Sequence, residues 1–310
     1  MSSDWNRRDF VNLLGIGGVV FASGLAGCSR TGGGTGASEA QAAGAAPPSP
    51  PNEDFFFLQL SDTHWGYKGP SNPHADVVLE RAIAAINAAD VQPDFVVFTG
   101  DLTHMTEDAA ERHDRMQRVH DIVSTLKVKT LHLLPGEHDA AIDHGEAFQQ
   151  AFGEMHYSFD HKGVHFVALD NVSTGGAEVG SDQLRWLAAD LARLPPSVPV
   201  IVFAHRPLFD LWPDWDWATK DGAQAIEVLA RRDNVTVFYG HIHQELHRTT
   251  GKIAHHSARS LVFPLPPPGS VPKKVPLVWD PNSVDHGLGW RQIAMDRDRA
   301  AARITEIAYR

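Results

Sequence analysis

The chain reads as an α/β protein with two packed β-sheets, and three observations carry that reading. From about residue 55 to residue 239, short apolar runs alternate with helical patterns, the order expected of a largely parallel sheet. After Gly240 the pattern changes to closely spaced strand-like runs, which argues for a second sheet packed on the first. Five short polar motifs interrupt the sequence, most of them directly after a strand-like run, where ligands collect in open α/β sheets.

Taken in order, residues 55–60 read as a buried strand and residues 75–89 as a helix, with Val78, Leu79, Ala82, Ile83 and Ile86 on one face. Residues 95–98 form a second strand, 107–126 a polar amphipathic helix and 130–134 a third strand. Residues 155–159 and 165–169 pair as a hairpin with Lys162-Gly163 in its turn. A helix over 182–194 stops at Pro195-Pro196. A strand over 198–203, a helix over 222–231 and a strand over 235–239 follow. The late runs are 246–249, 253–256, 261–263, 291–295 and 303–307, and the proline-rich stretch 264–281 reads as a long loop.

At 310 residues, 43% hydrophobic and 21% charged, the chain can bury one large core. A formal net charge of −11 argues against a nucleic-acid duplex as partner, because duplex binding neutralises phosphates with Lys and Arg. Eighteen histidines raise the expectation of bound metal. The single cysteine, Cys28, excludes an intramolecular disulfide.

The position of Cys28 explains it. Asn6-Arg7-Arg8-Asp9-Phe10-Val11, a short glycine-containing apolar stretch and Leu25-Ala26-Gly27-Cys28 resemble a twin-arginine export signal ending in a lipoprotein cleavage box. The stretch is too short for a comfortable membrane span. Residues 1–27 are therefore expected to be a signal peptide, with the twin-arginine export machinery as partner. Lipidation of Cys28 would anchor the protein to a membrane outside the cytoplasm, in the periplasm or its equivalent; cleavage without a lipid is the alternative. Residues 28–53, rich in Gly, Ala, Ser, Thr and Pro, cannot offset their ordering entropy and read as a disordered tether. The folded domain is expected over 54–310.

The five motifs are Asp62-Thr63-His64, Gly100-Asp101, Gly136-Glu137-His138-Asp139, His205 and Gly240-His241-Ile242-His243. Each alone is weak. In this order they bring carboxylates and imidazoles from distant parts of the chain to neighbouring strand ends. Such a mixed set suits zinc, manganese or iron, and two metals together can hydrolyse phosphate esters.

Over residues 56–256 the chain resembles the calcineurin-like metallophosphoesterase family, whose pattern is Asp-x-His, Gly-Asp, Gly-Asn-His-Asp or -Glu, a later His, and Gly-His-x-His. The resemblance implies a four-layer αββα sandwich of two mixed sheets flanked by helices. It implies that Asp62, His64 and His243 bind one metal, that Asp101 bridges, and that His205, His241 and the residue at position 137 bind the second. His138 would act as proton donor or charge stabiliser beside the leaving group, with Asp139 orienting it. A bridging hydroxide or terminal water would attack phosphorus in a small-molecule phosphate mono- or diester.

The chain departs from that pattern at Glu137, an anion one methylene longer than the family's Asn. If Glu137 ligates, the net charge of a two-metal site falls, weakening attraction for phosphate and making the attacking water less acidic. Fe(III) in one position would restore the charge, so Fe paired with Zn or Mn is expected; alternatively Glu137 swings away and binds nothing. A metal-binding protein with little turnover is the alternative function.

Lesser candidates surround the motifs. His104 reads as near the site, as a substrate contact, a supporting residue behind the ligands or a surface residue. Trp212, Trp215 and Trp217 either rim the pocket, where they could stack on a flat group, or pack their loop onto the domain. Arg206 faces a phosphate or forms a surface ion pair. His255 and His256, adjacent on one strand, point to opposite faces.

Overall fold

The computed structural model describes residues 21–22, 54–283, 287–296 and 302–308. Cys28, the expected tether to residue 53 and the expected signal peptide, apart from the backbone of residues 21–22, lie outside the described residues.

In chain order the described strands are β1 (Phe21–Ala22), β2 (Phe55–Leu60), β3 (Phe95–Thr99), β4 (Leu131–Leu134), β5 (Tyr157–His161), β6 (Val164–Ala168), β7 (Val200–Phe203), β8 (Val235–Tyr239), β9 (Leu246–Thr250), β10 (Ile253–Ser257), β11 (Gly289–Met295) and β12 (Ala302–Ala308). The helices are α1 (Val78–Ala88), α2 (Ala109–Val123), α3 (Glu137–Ala140), α4 (Glu146–Phe152), α5 (Ser181–Ala192) and α6 (Gly222–Leu229). One sheet has the order β1-β12-β11-β2-β3-β4 and the other β5-β6-β7-β8-β10-β9. β2, β3 and β4 run parallel, as do β6, β7, β8 and β10, while β5, β9, β11 and β12 pair antiparallel with their neighbours. Both sheets are thus mixed.

Three apolar layers hold the sandwich. Val78, Leu79 and Ile83 of α1, with Met116 and Val119 of α2, cover Phe56, Leu58, Leu60, Val96 and Phe98 on the outer face of the first sheet. Leu184, Leu187 and Leu191 of α5, with Ala225 and Leu229 of α6, cover Val167, Val202 and Val237 on the outer face of the second. Between the sheets lie Phe55, Phe57, Phe95, Phe166, Phe203, Phe238 and Ile293. Successive side chains of a strand leave on opposite faces, so fully buried strands such as β2 serve two layers at once. The result is the expected αββα order.

Two expectations are corrected. The late strands do not form the second sheet by themselves: β11 pairs with β2 and, with β12, completes the first sheet. The second sheet begins much earlier, at the β5–β6 hairpin, whose turn residues Lys162 and Gly163 both take positive φ. Sheet membership is a non-local pairing choice that an apolar run cannot encode. The run 261–263 is buried but is not a strand. Ser260 Oγ accepts from the Val262 and Phe263 amides at 2.9 and 3.4 Å and donates to the Asp62 carbonyl at 2.8 Å. A side-chain hydroxyl thereby does what a ladder would have done, and it ties this segment to the first motif.

One polar group inside the second sheet makes stability depend on pH. When protonated, His165 donates through both ring nitrogens, from Nδ1 to the Asp160 carboxylate at 2.7 Å and from Nε2 to the buried Asp190 carboxylate at 2.8 Å. Burial alone would lower its pKa; the Asp190 and Asp160 carboxylates outweigh burial and raise it above the ordinary value of about 6.5. A raised folded-state pKa contributes stability that is full below about pH 6.5 and is lost as pH rises through the raised value. Urea unfolding is therefore expected to show stability falling above neutrality, with a shallower fall in His165→Gln; identical pH profiles would contradict this assignment.

Candidate metal centre

Every motif sits at or just beyond the carboxyl end of a strand, and the backbone there is unusual. Asp62, His64, Asp101, His241 and His243 all have positive φ, between 41° and 67°. For non-glycine residues this left-handed region costs on the order of 1–3 kcal/mol each and persists only where surroundings impose it. Here the loops impose it on one another: the Asp62 amide donates to the Gly100 carbonyl at 3.0 Å, the His64 amide to the Asp101 carbonyl at 2.9 Å, and the His241 amide to Asp62 Oδ1 at 3.1 Å. Gly100, at φ 92°, lies where a Cβ would strike the His205 ring, so the glycine is needed for both its conformation and its missing side chain.

The loops converge two ligand groups. Asp62, His64 and His243 have ligand atoms within 4.8 Å of one another, and so do Asp101, Glu137, His205 and His241. Asp101 lies between the groups, its Oδ2 3.4 Å from His64 Nε2 and 3.5 Å from His205 Nε2. The seven side chains expected to ligate are thus brought together. Glu137, at the start of α3, turns inward: Oε1 is 2.9 Å from His241 Nδ1 and Oε2 is 2.8 Å from His205 Nε2.

These residues fit metal ions. Three of the histidines use one ring nitrogen on a backbone carbonyl: His205 Nδ1 on Thr99 at 2.7 Å, His241 Nε2 on Asp216 at 3.0 Å and His243 Nδ1 on Phe263 at 2.6 Å. A ring that donates there presents a bare lone pair with its other nitrogen, the tautomer that a metal ligand needs. Glu137 Oε2, His205 Nε2 and His241 Nδ1 are buried without a partner of hydrogen-bonding geometry, despite their close approach. His64 Nε2 and His243 Nε2 likewise face each other at 3.1 Å. Burial would lower the His205 pKa, but the Asp101 and Glu137 carboxylates raise it well above the ordinary value, so the converging atoms call for positive charge, which a ring proton or a metal cation supplies.

The charges agree. Burial and the Glu137 carboxylate both oppose ionisation of Asp101, but the imidazoles of His205, His138 and His64 outweigh them and hold it well below the usual carboxylate range. Burial also opposes ionisation of Glu137, and His241 and His205 more than compensate. Both carboxylates are therefore anionic at neutral pH.

His138 projects beside the two groups, its ring centroid 4.5 Å from that of His64. Its amide donates to Asp101 Oδ1 at 2.9 Å, and its Nδ1 accepts from the Met105 amide at 3.0 Å. That acceptance places the ring proton on Nε2, so His138 offers an N–H to the site. The expected partner, Asp139, does not orient the ring. Its buried carboxylate accepts from the amides of Leu102, Thr103 and Gly136, all at 2.9 Å, and so pins the second motif to the third. Burial and the Asp101 charge push the Asp139 pKa up to about 6 despite those bonds.

Among the lesser candidates, His104 is confirmed at the site: its Nδ1 lies 3.4 Å from His64 Nδ1 and its ring 4.9 Å from that of His138. Trp215 and Trp217 do not rim the pocket; both are buried in the cluster of Phe209, Tyr239, Ile242 and Phe263, and only Trp212 is exposed. Arg206 is not on the surface either, being 5% exposed in the wall of the centre. His255 and His256 do diverge, toward Thr250 and His247 respectively.

Two site residues had no sequence signal. Phe263 stacks on His64 and His243, with ring centroids at 5.2 and 4.8 Å, in addition to holding His243 through its carbonyl. Tyr67 packs on Phe263 and His104 at 4.8 and 5.1 Å. Neither belongs to a polar motif, and only the fold brings them to the ligands.

A four-layer sandwich whose strand ends carry two histidine–carboxylate groups meeting at one aspartate has the architecture of a metal-dependent ester hydrolase. Residues 57–245 match the family of the calcineurin-like phosphoesterases, and the chain belongs to that family. It is 27% identical to a probable cyclic nucleotide phosphodiesterase of Rhodopseudomonas palustris over 242 residues, 70% of this chain and 83% of that protein. It is 28% identical to the serine/threonine-protein phosphatase CPPED1 of Mus musculus over 217 residues, 61% of this chain and 70% of that protein. A dimetal phosphatase from Danio rerio shares the fold at a TM-score of 0.55 and 14% identity, covering 84% of this chain and all of its own.

Proposed function

We propose that this protein is a two-metal phosphoesterase that is exported folded, tethered outside the cytoplasm through Cys28, and acts on small phosphate mono- or diesters. The observation that carries the catalytic part is the meeting of two ligand groups at Asp101, with the His138 N–H beside them. Two cations held there would acidify a water and neutralise the phosphate oxygens. Asp62, His64 and His243 would hold one; Glu137, His205 and His241 the other; Asp101 both. His138 Nε2–H would stabilise or protonate the departing oxygen, and the Met105 amide keeps that proton on the correct nitrogen. The relatives named as cyclic nucleotide phosphodiesterases and phosphatases support phosphate esters as the substrate class and leave both ester types open. With Trp215 and Trp217 buried, the tryptophan loop gives no reason to favour a flat substrate.

The test is hydrolysis of p-nitrophenyl phosphate and bis-p-nitrophenyl phosphate by zinc- or manganese-loaded protein. His138→Ala is expected to lose on the order of 10²–10⁴-fold in kcat while retaining its metals. The carboxylate at position 137 favours a second reading, a metal-binding protein with little turnover. Full metal loading with no hydrolysis of either ester would select it. Export and anchoring are tested separately: wild type is expected in the membrane fraction, and Cys28→Ala in the soluble periplasmic fraction.

A further inference from the structure

We propose that Arg206 is the charge partner of Glu137, a positioning residue that lets an anion occupy a ligand place filled by a neutral amide elsewhere in the family, without making the centre less attractive to phosphate. The inference rests on the metal-centre reading above and deepens it.

The geometry is a short chain of contacts. Arg206 Nε lies 3.6 Å from Glu137 Oε2, and both atoms are buried without a hydrogen-bond partner. The far end of the guanidinium is clamped: Nη2 donates to Asp216 Oδ2 at 2.6 Å and Nη1 to the Asp216 carbonyl at 3.1 Å. That same carbonyl accepts from His241 Nε2 at 3.0 Å. One residue, Asp216, held at φ 65° between the buried Trp215 and Trp217, therefore sets both the tautomer of a ligand and the position of the cation behind another ligand. The tryptophan loop thus acts as a brace.

The charges explain why a cation is needed. Three carboxylates, Asp62, Asp101 and Glu137, against two divalent ions would leave roughly one positive charge, where two carboxylates would leave roughly two. Arg206 is always protonated, is only 5% exposed and sets a positive charge within 4 Å of the extra anion, while the Asp216 carboxylate on its far end is 59% exposed and screened by solvent. With Zn or Mn in both positions, Arg206 then offsets part of the charge that Glu137 removes, without a trivalent metal.

The test measures binding, so its outcome is separate from turnover. Zinc affinity of the metal-free full chain and orthophosphate affinity of the zinc-loaded chain are measured by calorimetry for wild type, E137N, R206Q and the double variant. E137N leaves a buried cation beside the metal and is expected to weaken the second zinc at least about tenfold. R206Q is expected to weaken orthophosphate by a similar factor without weakening zinc. The double variant, with its charge balance restored, is expected to return both affinities to within about threefold of wild type. Additive losses in the double variant overturn the proposal, as does weakened zinc in R206Q, the mark of a purely structural arginine. If R206Q does not fold, E137Q decides: isosteric but neutral, it must lose zinc as E137N does, and unchanged zinc binding overturns the proposal. Absence of hydrolysis by the zinc-loaded wild type would sink the phosphoesterase reading, while these affinities would still decide the charge pairing.

Discussion

Asp101→Asn is expected to remove both metals and, with them, all measurable ester hydrolysis. The substitution is small and nearly isosteric, so its effect would come from charge and lone pairs. Asp101 Oδ2 faces one histidine of each ligand group, at 3.4 and 3.5 Å, and its Oδ1 accepts the His138 amide. An amide in that place supplies one oxygen where two are in use and turns an NH2 toward a histidine lone pair. It also deletes the one negative charge that both groups share. Loss of a partner that merely orients a ligand costs about 10–100-fold in metal affinity; a shared ligand should cost more at each site. Metal analysis after gel filtration should find well under one equivalent per chain, with an unchanged far-ultraviolet circular dichroism spectrum. Two retained metals would show that the groups are independent and that Asp101 does not join them.

The largest stability effect is expected at Phe57→Ala. Phe57 is fully buried between the sheets, stacked on Phe95 at 4.6 Å and set edge-on to Phe166, Phe203 and Phe238 at 5.7, 5.8 and 6.3 Å. Truncation removes apolar contact from both sheets and leaves a cavity that ring neighbours on rigid strands cannot close. The expected loss is about 3–5 kcal/mol, read as a drop in the denaturant midpoint with an unchanged slope. Val278→Ala, at an 88% exposed position, should stay within about 0.5 kcal/mol of wild type. Because β2 leads directly into Asp62, the Phe57 variant should also bind metal more weakly near its melting range. Equal midpoints for the two variants would mean that the sheets do not depend on this aromatic layer.

Glu137 shows how sequence and structure divided the problem. Its identity, and its departure from the amide of the family pattern, stand in the sequence. Whether it turns toward the centre depends on α3 starting at that residue and on His205 and His241 arriving from the other sheet. Asp139 shows the opposite case. Adjacency to His138 made it a natural orienting partner, yet the α3 turn sends its carboxylate to the amides of Gly136, Leu102 and Thr103, while the amide of Met105, more than thirty residues earlier in the chain, holds the His138 ring. Local sequence proximity is a poor guide to side-chain partnership once the backbone bends.

What the sequence determined by itself was local: strands and helices written as apolar period, the Lys162-Gly163 turn of the hairpin, and the chemical type of each ligand. Those features depend on neighbours a few residues away, which the linear order preserves. What only the tertiary structure decided was pairing at a distance. β11 joined the first sheet, Ser260 tied residues 261–263 to the first motif in place of a strand, Phe263 and Tyr67 came to the ligands, and Arg206 went behind Glu137. Each joins segments separated by tens to hundreds of residues. Their partnership is set by which surfaces the two sheets bury against each other, a choice the whole core makes at once.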